Sequence, residues 1–338
     1  MQRLVKGWRH KPGRHCASTV LSDLSYFYGL NLSEPFCFGL GAGLGFFYLE
    51  SEQISPSRMI LTRAQNLEGN FFHNLGLEFE WKQEEDPEQG WLKVKNWIDQ
   101  EVPVLLRADI FYLDYYNSKT HFPGHIICLW GYDQEKALAY VADTGYLGLM
   151  ELPLDSLRKA RYGEMPFFNI KGDYFPVLLP PKLDGLEEKM VNAIISQAED
   201  LKQSAPGGFF WSGYSALKET AQRIEQWQSA KDRSWCFRWA YQIIEKRGTG
   251  GGAFRKIYGE FLEEISQNYP SLARLIDYQE MQRMGEKWTE LSMLLKELSE
   301  MEKLDKKVLK KTAQIFSELA EREENFFETS QEKLINLS

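Results

Sequence analysis

The sequence predicts an α+β N-terminal half followed by an all-helical C-terminal half. Three observations carry that prediction. Short apolar and aromatic runs bounded by turn residues crowd residues 1–180. From Leu183 onward, apolar residues recur almost without interruption at i, i+3, i+4 spacing. The pair Pro180–Pro181 separates the two patterns. A chain of 338 residues is also long for one core, so two domains are expected, 1–180 and 181–338.

The elements follow in order. "CASTVLSDLSYFYGL" (16–30) spaces Val20, Leu21, Leu24, Phe27 and Tyr28 on one helical face and stops at Gly29. "FGLGAGLGFFYLE" (38–50) places four glycines in seven residues before an aromatic strand. "VPVLLRA" (102–108) is a short apolar run that reads as a strand. "HIICLWGYDQEKALAYVADTGY" (125–146) is two β-rich runs around a polar turn, hence a hairpin. "FFNIKGDYFPVLLP" (167–180) supplies one or two further strands. In the second half, "LEEKMVNAIISQAEDLKQ", "SWCFRWAYQIIEKRG" and "GAFRKIYGEFLEEISQNY" are separate amphipathic helices, and residues 271–335 hold two long charged ones. Their charge runs read as solvated faces. A homo-oligomer paired through these helices is the weaker reading, because the heptad is irregular.

Composition closes several routes. Hydrophobic content of 43% and charged content of 26% are ordinary for a globular protein. A net charge of −8 argues against a nucleic-acid partner. No apolar run approaches the ~18 residues of a membrane span, and the basic N-terminus lacks the apolar core of a secretory signal. The four cysteines (Cys16, Cys37, Cys128, Cys236) form no CxxC pair, so neither a zinc site nor a disulfide scaffold is expected. These features predict a cytoplasmic protein without a cofactor.

Chemistry concentrates at Cys16. A reactive thiolate needs positive potential, a base or a helix N-terminus. Cys16 sits in the first turn of its helix, where the amides of Cys16 and Ala17 also suit an oxyanion. Arg3, Lys6, Arg9, Lys11 and Arg14 precede it, and no acid appears before Asp23. His15 adjoins it, but adjacent side chains usually point apart, which makes His15 a poor base. His125 opens a strand after Gly124 and is the better one. With the hairpin centred near position 134, Asp143 falls across from His125 on the same face and can orient the ring. Asp133 is a rival acid in the turn. The order Cys16, His125, Asp143, with a helix carrying the nucleophile and a sheet carrying base and acid, is a papain-like layout.

The other cysteines read as core. His121 and His125 stand four apart, but "HFPGH" cannot be the helix that a metal pair at this spacing needs. His15, Gly41 and Gly43 are expected beside the bound acyl group. "RGTGGGAFRKIYGEF" (247–261) ends one helix and starts another among cations, so Gly251 and Arg255 are expected either at an anion or at a tight helix connection. "APGGFFWSGYSAL" (205–217) reads as a lid loop or as core.

"HCAST", "SEPFCFGLGAGLGFFY", "GHIICLWGYD" and "IEKRGTGGGAFRKIYGEFLEE" together resemble the butirosin-biosynthesis protein H family over most of the chain. The resemblance implies a papain-like N-terminal module and an acyltransferase. It would move an aminoacyl group from a phosphopantetheine thioester, on a carrier protein or CoA, to a small-molecule amine. It implies Cys16 as nucleophile, His125 as base and Asp143 as orienting acid. Related peptidases place an oxyanion glutamine several residues before the cysteine. Here Gln2 is the only upstream glutamine, and His10 stands six positions before Cys16. A cysteine amidase or peptidase with the same triad and a non-catalytic binding module remain the alternatives.

Overall fold

The computed structural model describes residues 1–165, 168–205 and 207–336. Phe167 of the "FFNI" run and Pro206 of the glycine-rich loop lie outside the described residues. The chain begins β1 (Gln2–Leu4), α1 (Cys16–Phe27), α2 (Glu34–Leu40), β2 (Leu44–Glu50), β3 (Arg58–Arg63), α3 (Leu67–Asn74) and α4 (Pro87–Asp99). It continues through β4 (Val104–Ala108), β5 (His125–Asp133), β6 (Leu138–Ala142), β7 (Met150–Pro153), α5 (Leu154–Ala160), β8 (Glu164–Met165), β9 (Phe168–Asn169) and β10 (Tyr174–Pro176). Then come α6 (Leu186–Lys202), β11 (Phe210–Ser212), α7 (Gly213–Arg223), α8 (Arg233–Glu245), α9 (Arg255–Asn268), α10 (Pro270–Ala273), α11 (Tyr278–Glu300) and α12 (Lys306–Ile335). The result is a mixed α/β protein whose sheets are antiparallel. Among the described residues no helix is long and apolar enough to cross a membrane.

These elements form two compact units. One comprises residues 1–37 and 76–184, the other 38–75 and 185–338. The expected division at 180/181 therefore differs in one respect: residues 38–75 group with the C-terminal half. Two contacts explain this. The open edge of β2 pairs with β11, a strand from the second half. Leu44 exchanges both backbone hydrogen bonds with the Gln197 carboxamide, which is fully buried on α6. A buried strand edge must pair somewhere, and here its partner lies far along the chain. The C-terminal half is consequently not all-helical, because it contributes β11 to a three-stranded sheet.

The first unit is built on a sheet ordered β10-β4-β5-β6-β7, with β1 pairing the far end of β5 at Gly131–Asp133. Every residue of β5 is buried, which fits its unbroken apolar run "HIICLW". Both α1 and α4 pack against β5. Gly29, at φ 84°, ends the first helix where expected. The β5–β6 turn is closed by Asp133, whose carboxylate accepts the amides of Glu135 and Lys136.

The second unit packs its helices around the β2–β3–β11 sheet. Glycine earns its place once here for conformational reasons. Gly250, Gly251, Gly252, Ala253 and Phe254 all have positive φ, a run that side chains rarely tolerate. The chain makes this reversal between α8 and α9.

Candidate active site

The first turn of α1 is fixed by a single carboxylate. Glu34 Oε1 accepts the backbone amides of Arg14 and His15, each at 2.8 Å, and the Thr19 hydroxyl at 3.1 Å. Gly13 must be glycine for this cradle to close, since a Cβ there would stand 2.2 Å from Thr19 Oγ1 and 2.9 Å from the Glu34 carboxyl group. The Gly13 amide donates to the Thr144 carbonyl at 2.9 Å, tying the cysteine loop to the segment after Asp143. Thr144 is held at φ 33°, a strained conformation for a β-branched residue.

His15 caps the helix. Its Nδ1 accepts the Ser18 amide at 3.3 Å, and its Nε2 lies 3.9 Å from Cys16 Sγ. The expectation that this ring points away from its neighbour is corrected, because capping turns it back over the first turn. The Glu34 and His15 contacts together occupy the amides of residues 14, 15 and 18. Within the described residues no hydrogen bond takes the amides of Cys16 and Ala17.

His125 and Asp143 meet as the sequence suggests, by a different register. The β5–β6 pairing runs Asp133↔Leu138, then shifts at a bulge, and ends at Cys128↔Ala142. The turn is centred later than 134, and Asp143 is a diagonal neighbour of His125. The bulge, at Trp130, matters. Without the extra residue, Asp143 would face Cys128 and point to the other side of the sheet; with it, Asp143 shares the face of Ile127 and His125. His125 Nε2 then lies 2.8 Å from Asp143 Oδ1 and 2.9 Å from Oδ2. A carboxylate only accepts, so Nε2 carries the proton and Nδ1 is the ring nitrogen left for Cys16, whose sulfur interacts electrostatically with the ring.

Three residues that sequence reasoning did not select complete this arrangement. Tyr115 Oη donates to Asp143 Oδ2 at 2.7 Å, Tyr116 Oη to Oδ1 at 3.3 Å, and Thr144 Oγ1 to Oδ1 at 2.8 Å. Asp143 is fully buried and accepts from four side chains. The tyrosines come from a short helical turn, Asp114–Tyr116, in an irregular loop. The "YY" pair carries no periodic signal, so only its place before His125 hinted at it. Tyr146 packs edge-on against both rings.

The electrostatics follow from this geometry. Burial pushes the Cys16 thiol up, but His15 and His125 reverse that and hold it well below its ordinary value. Burial pushes His125 down, but Asp143 and the Cys16 sulfur raise it to about 10. Both shifts favour a thiolate beside an imidazolium. The basic run contributes less than its sequence implied, because Arg3, Lys6 and Arg14 face Asp99, Glu101 and Glu34.

The remaining expectations resolve as follows. His10 is committed to Asp23, Nδ1 to Oδ2 at 2.5 Å. His121 pairs with Asp109 and His125 with Asp143, so the two rings serve different acids. Asp133 stays in the turn. Cys37, Cys128 and Cys236 are buried. Gly41 and Gly43 lie in the second unit and abut Leu67 and the Phe38 ring, so close packing accounts for both. Arg255 is a correction. It is fully buried, bonded to Glu323 at 2.7 and 2.8 Å and to the carbonyls of Thr62 and Ala253, and it meets no solvent. Gly251 gives its amide to Thr249, and Gly252 gives its own to Glu245, so the glycine run has spent these donors internally. Apolar neighbours and a fixed carboxylate, which sequence spacing does not reveal, decide these positions.

Residues 15–144 match the family model described as butirosin biosynthesis protein H, N-terminal, and residues 155–329 match a domain of unknown function, DUF4872. The first match spans Cys16, His125 and Asp143. No curated protein matches the chain.

Proposed function

We propose, from the match of residues 15–144 to the butirosin biosynthesis protein H N-terminal family, that the chain is a thiol-dependent acyltransferase of specialised-metabolite biosynthesis. The observation that carries the reading is the buried Cys16–His125–Asp143 array, with its lowered thiol and raised imidazole. A helix that delivers the nucleophile and an antiparallel sheet that delivers base and acid support a papain-like N-terminal module.

In the proposed reaction, the Cys16 thiolate attacks the carbonyl carbon of an acyl thioester, and a new C–S bond forms. The amides of Cys16 and Ala17 receive the oxyanion. As the intermediate collapses, His125 Nδ1 gives its proton to the departing thiol, leaving an acyl-enzyme and a neutral ring. An amine then attacks the same carbonyl. His125 takes the proton the amine sheds, the amide is released, and Cys16 leaves as thiolate. Asp143 holds the ring in the required tautomer throughout. The burial of the site favours amine over water as acceptor. Arg9 and Lys11, both exposed, are the N-terminal cations left for an anionic donor such as phosphopantetheine on a carrier protein or CoA.

The test is product analysis. The full chain is incubated with a panel of acyl-CoA and N-acetylcysteamine thioesters and a set of polyamino acceptors. An amide product that disappears in His125→Ala supports transfer. Release of free acid at the same rate with and without amine would replace this reading with a hydrolase.

A further inference from the structure

We propose that His15 is a further catalytic residue: an imidazole whose Nε2–H donates to the oxyanion formed at Cys16. The inference rests on the reading of Cys16 as a nucleophile, and it assigns the side-chain donor to His15 rather than to His10.

The argument starts from the cap. A backbone amide can only donate, and the Ser18 amide points at His15 Nδ1. Nδ1 must therefore present a lone pair, which places the ring proton of a neutral imidazole on Nε2. That nitrogen is the one 3.9 Å from Cys16 Sγ. A ring whose sulfur-facing nitrogen already carries hydrogen cannot accept the thiol proton, so base and donor are distinct. His125, anchored by Asp143, handles the proton; His15, anchored by Ser18, offers N–H. The ring is buried, at 4% exposure, where such a donor acts in low dielectric. Its backbone is fixed through Glu34, so the donor is held in place before reaction. Ser, Thr, Asp and Asn, the common capping residues, would cap equally well. They would leave nothing to reach the sulfur.

His10 is the rival. Its Nδ1 binds Asp23, two helical turns beyond Cys16, and the Lys11 amide binds the same carboxylate. These contacts occupy Nδ1 only; Nε2 is buried without a hydrogen-bond partner among the described residues, so a ratio of acylation to alkylation rates that falls in His10→Ala but not in His15→Ala would overturn the assignment.

The experiment compares two reactions of the same thiol in the full chain. Iodoacetamide alkylates a thiolate without forming an oxyanion. p-Nitrophenyl acetate acylates it through one, and needs no recognition of the natural substrate. The readout is the ratio of acylation to alkylation rates in wild type, His15→Ala, His15→Gln and His10→Ala. The ratio should fall about a hundredfold in His15→Ala, the effect of one lost oxyanion donor. His15→Gln, whose carboxamide can still donate, should recover most of it. Equal slowing of both reactions in His15→Ala would overturn the proposal, as would a ratio that follows imidazole titration between pH 5 and 8. The acyltransferase reading fails separately, if wild type accepts p-nitrophenyl acetate but no thioester.

Discussion

At the scale of single residues, the site depends on how Asp143 is held. Four donors fix its carboxylate, so His125 has one orientation. Asp143→Asn replaces an acceptor with an amide that can turn a donor toward Nε2, which favours the wrong tautomer. Iodoacetamide alkylation of Cys16 at pH 6 should slow at least about tenfold, while Tyr115→Phe should slow it less. Unchanged alkylation in Asp143→Asn would mean that His125 does not sustain the thiolate. The pH dependence separates the two titrating groups. Alkylation should rise as pH passes the lowered thiol value and then stay level. Acylation by a thioester should follow the same rise, yet fall as pH passes about 10, where His125 loses the proton the leaving thiol needs. Cys16, His125 and Asp143 were legible because each has a local signature: a helix start, a strand start and a hairpin partner. Tyr115, Thr144 and Glu34 were not. They act through loop geometry, which has no period to read.

At the scale of elements, the N-terminus of α1 is held in place by one acid from the start of α2. Glu34 accepts two amides and the Thr19 hydroxyl, and hydrogen bonds to a charged group are worth about 1.5–3 kcal/mol each. Glu34→Ala should destabilise the protein by about 3 kcal/mol, read as a lowered thermal midpoint, and should slow alkylation by loosening residues 13–15. A variant that keeps both midpoint and alkylation rate would contradict the cradle. The hairpin shows where element-level reading stops. Counting from the turn puts Asp143 near His125, but the face depends on the bulge at Trp130. A one-residue irregularity inverts every inward and outward position beyond it. Nothing in "CLWGYD" announces that irregularity.

At the scale of the whole molecule, the chain changes units twice more than its composition suggests. Segment 38–75 reads as part of the first half by its position, yet its sheet is completed by β11 and Gln197. Pairings across some 150 residues of sequence leave no mark in local pattern. The same unit contains Arg255 and Glu323, both fully buried, with Trp288 Nε1 also donating to Glu323. Removing one partner from such a pair typically loses 3–5 kcal/mol. Arg255→Ala should therefore lower the thermal midpoint by several degrees. Once folded at low temperature, it should leave the KM for a thioester donor unchanged. A raised KM with an unaltered midpoint would restore Arg255 as a substrate contact. The two matched family segments, 15–144 and 155–329, carry the triad and most of the helices respectively, so the chemistry proposed here resides in the first.

The central claim is that Cys16 carries the acyl group between donor and acceptor. Intact-mass measurement of the full chain after brief mixing with an acyl-thioester panel, before any amine is added, tests it most directly. The account predicts a single added acyl mass in wild type, located to the peptide containing Cys16 and absent from Cys16→Ala. It also predicts that the adduct discharges to amide when an acceptor amine is supplied. An adduct that persists in Cys16→Ala, or an amide formed at the wild-type rate without Cys16, would contradict it.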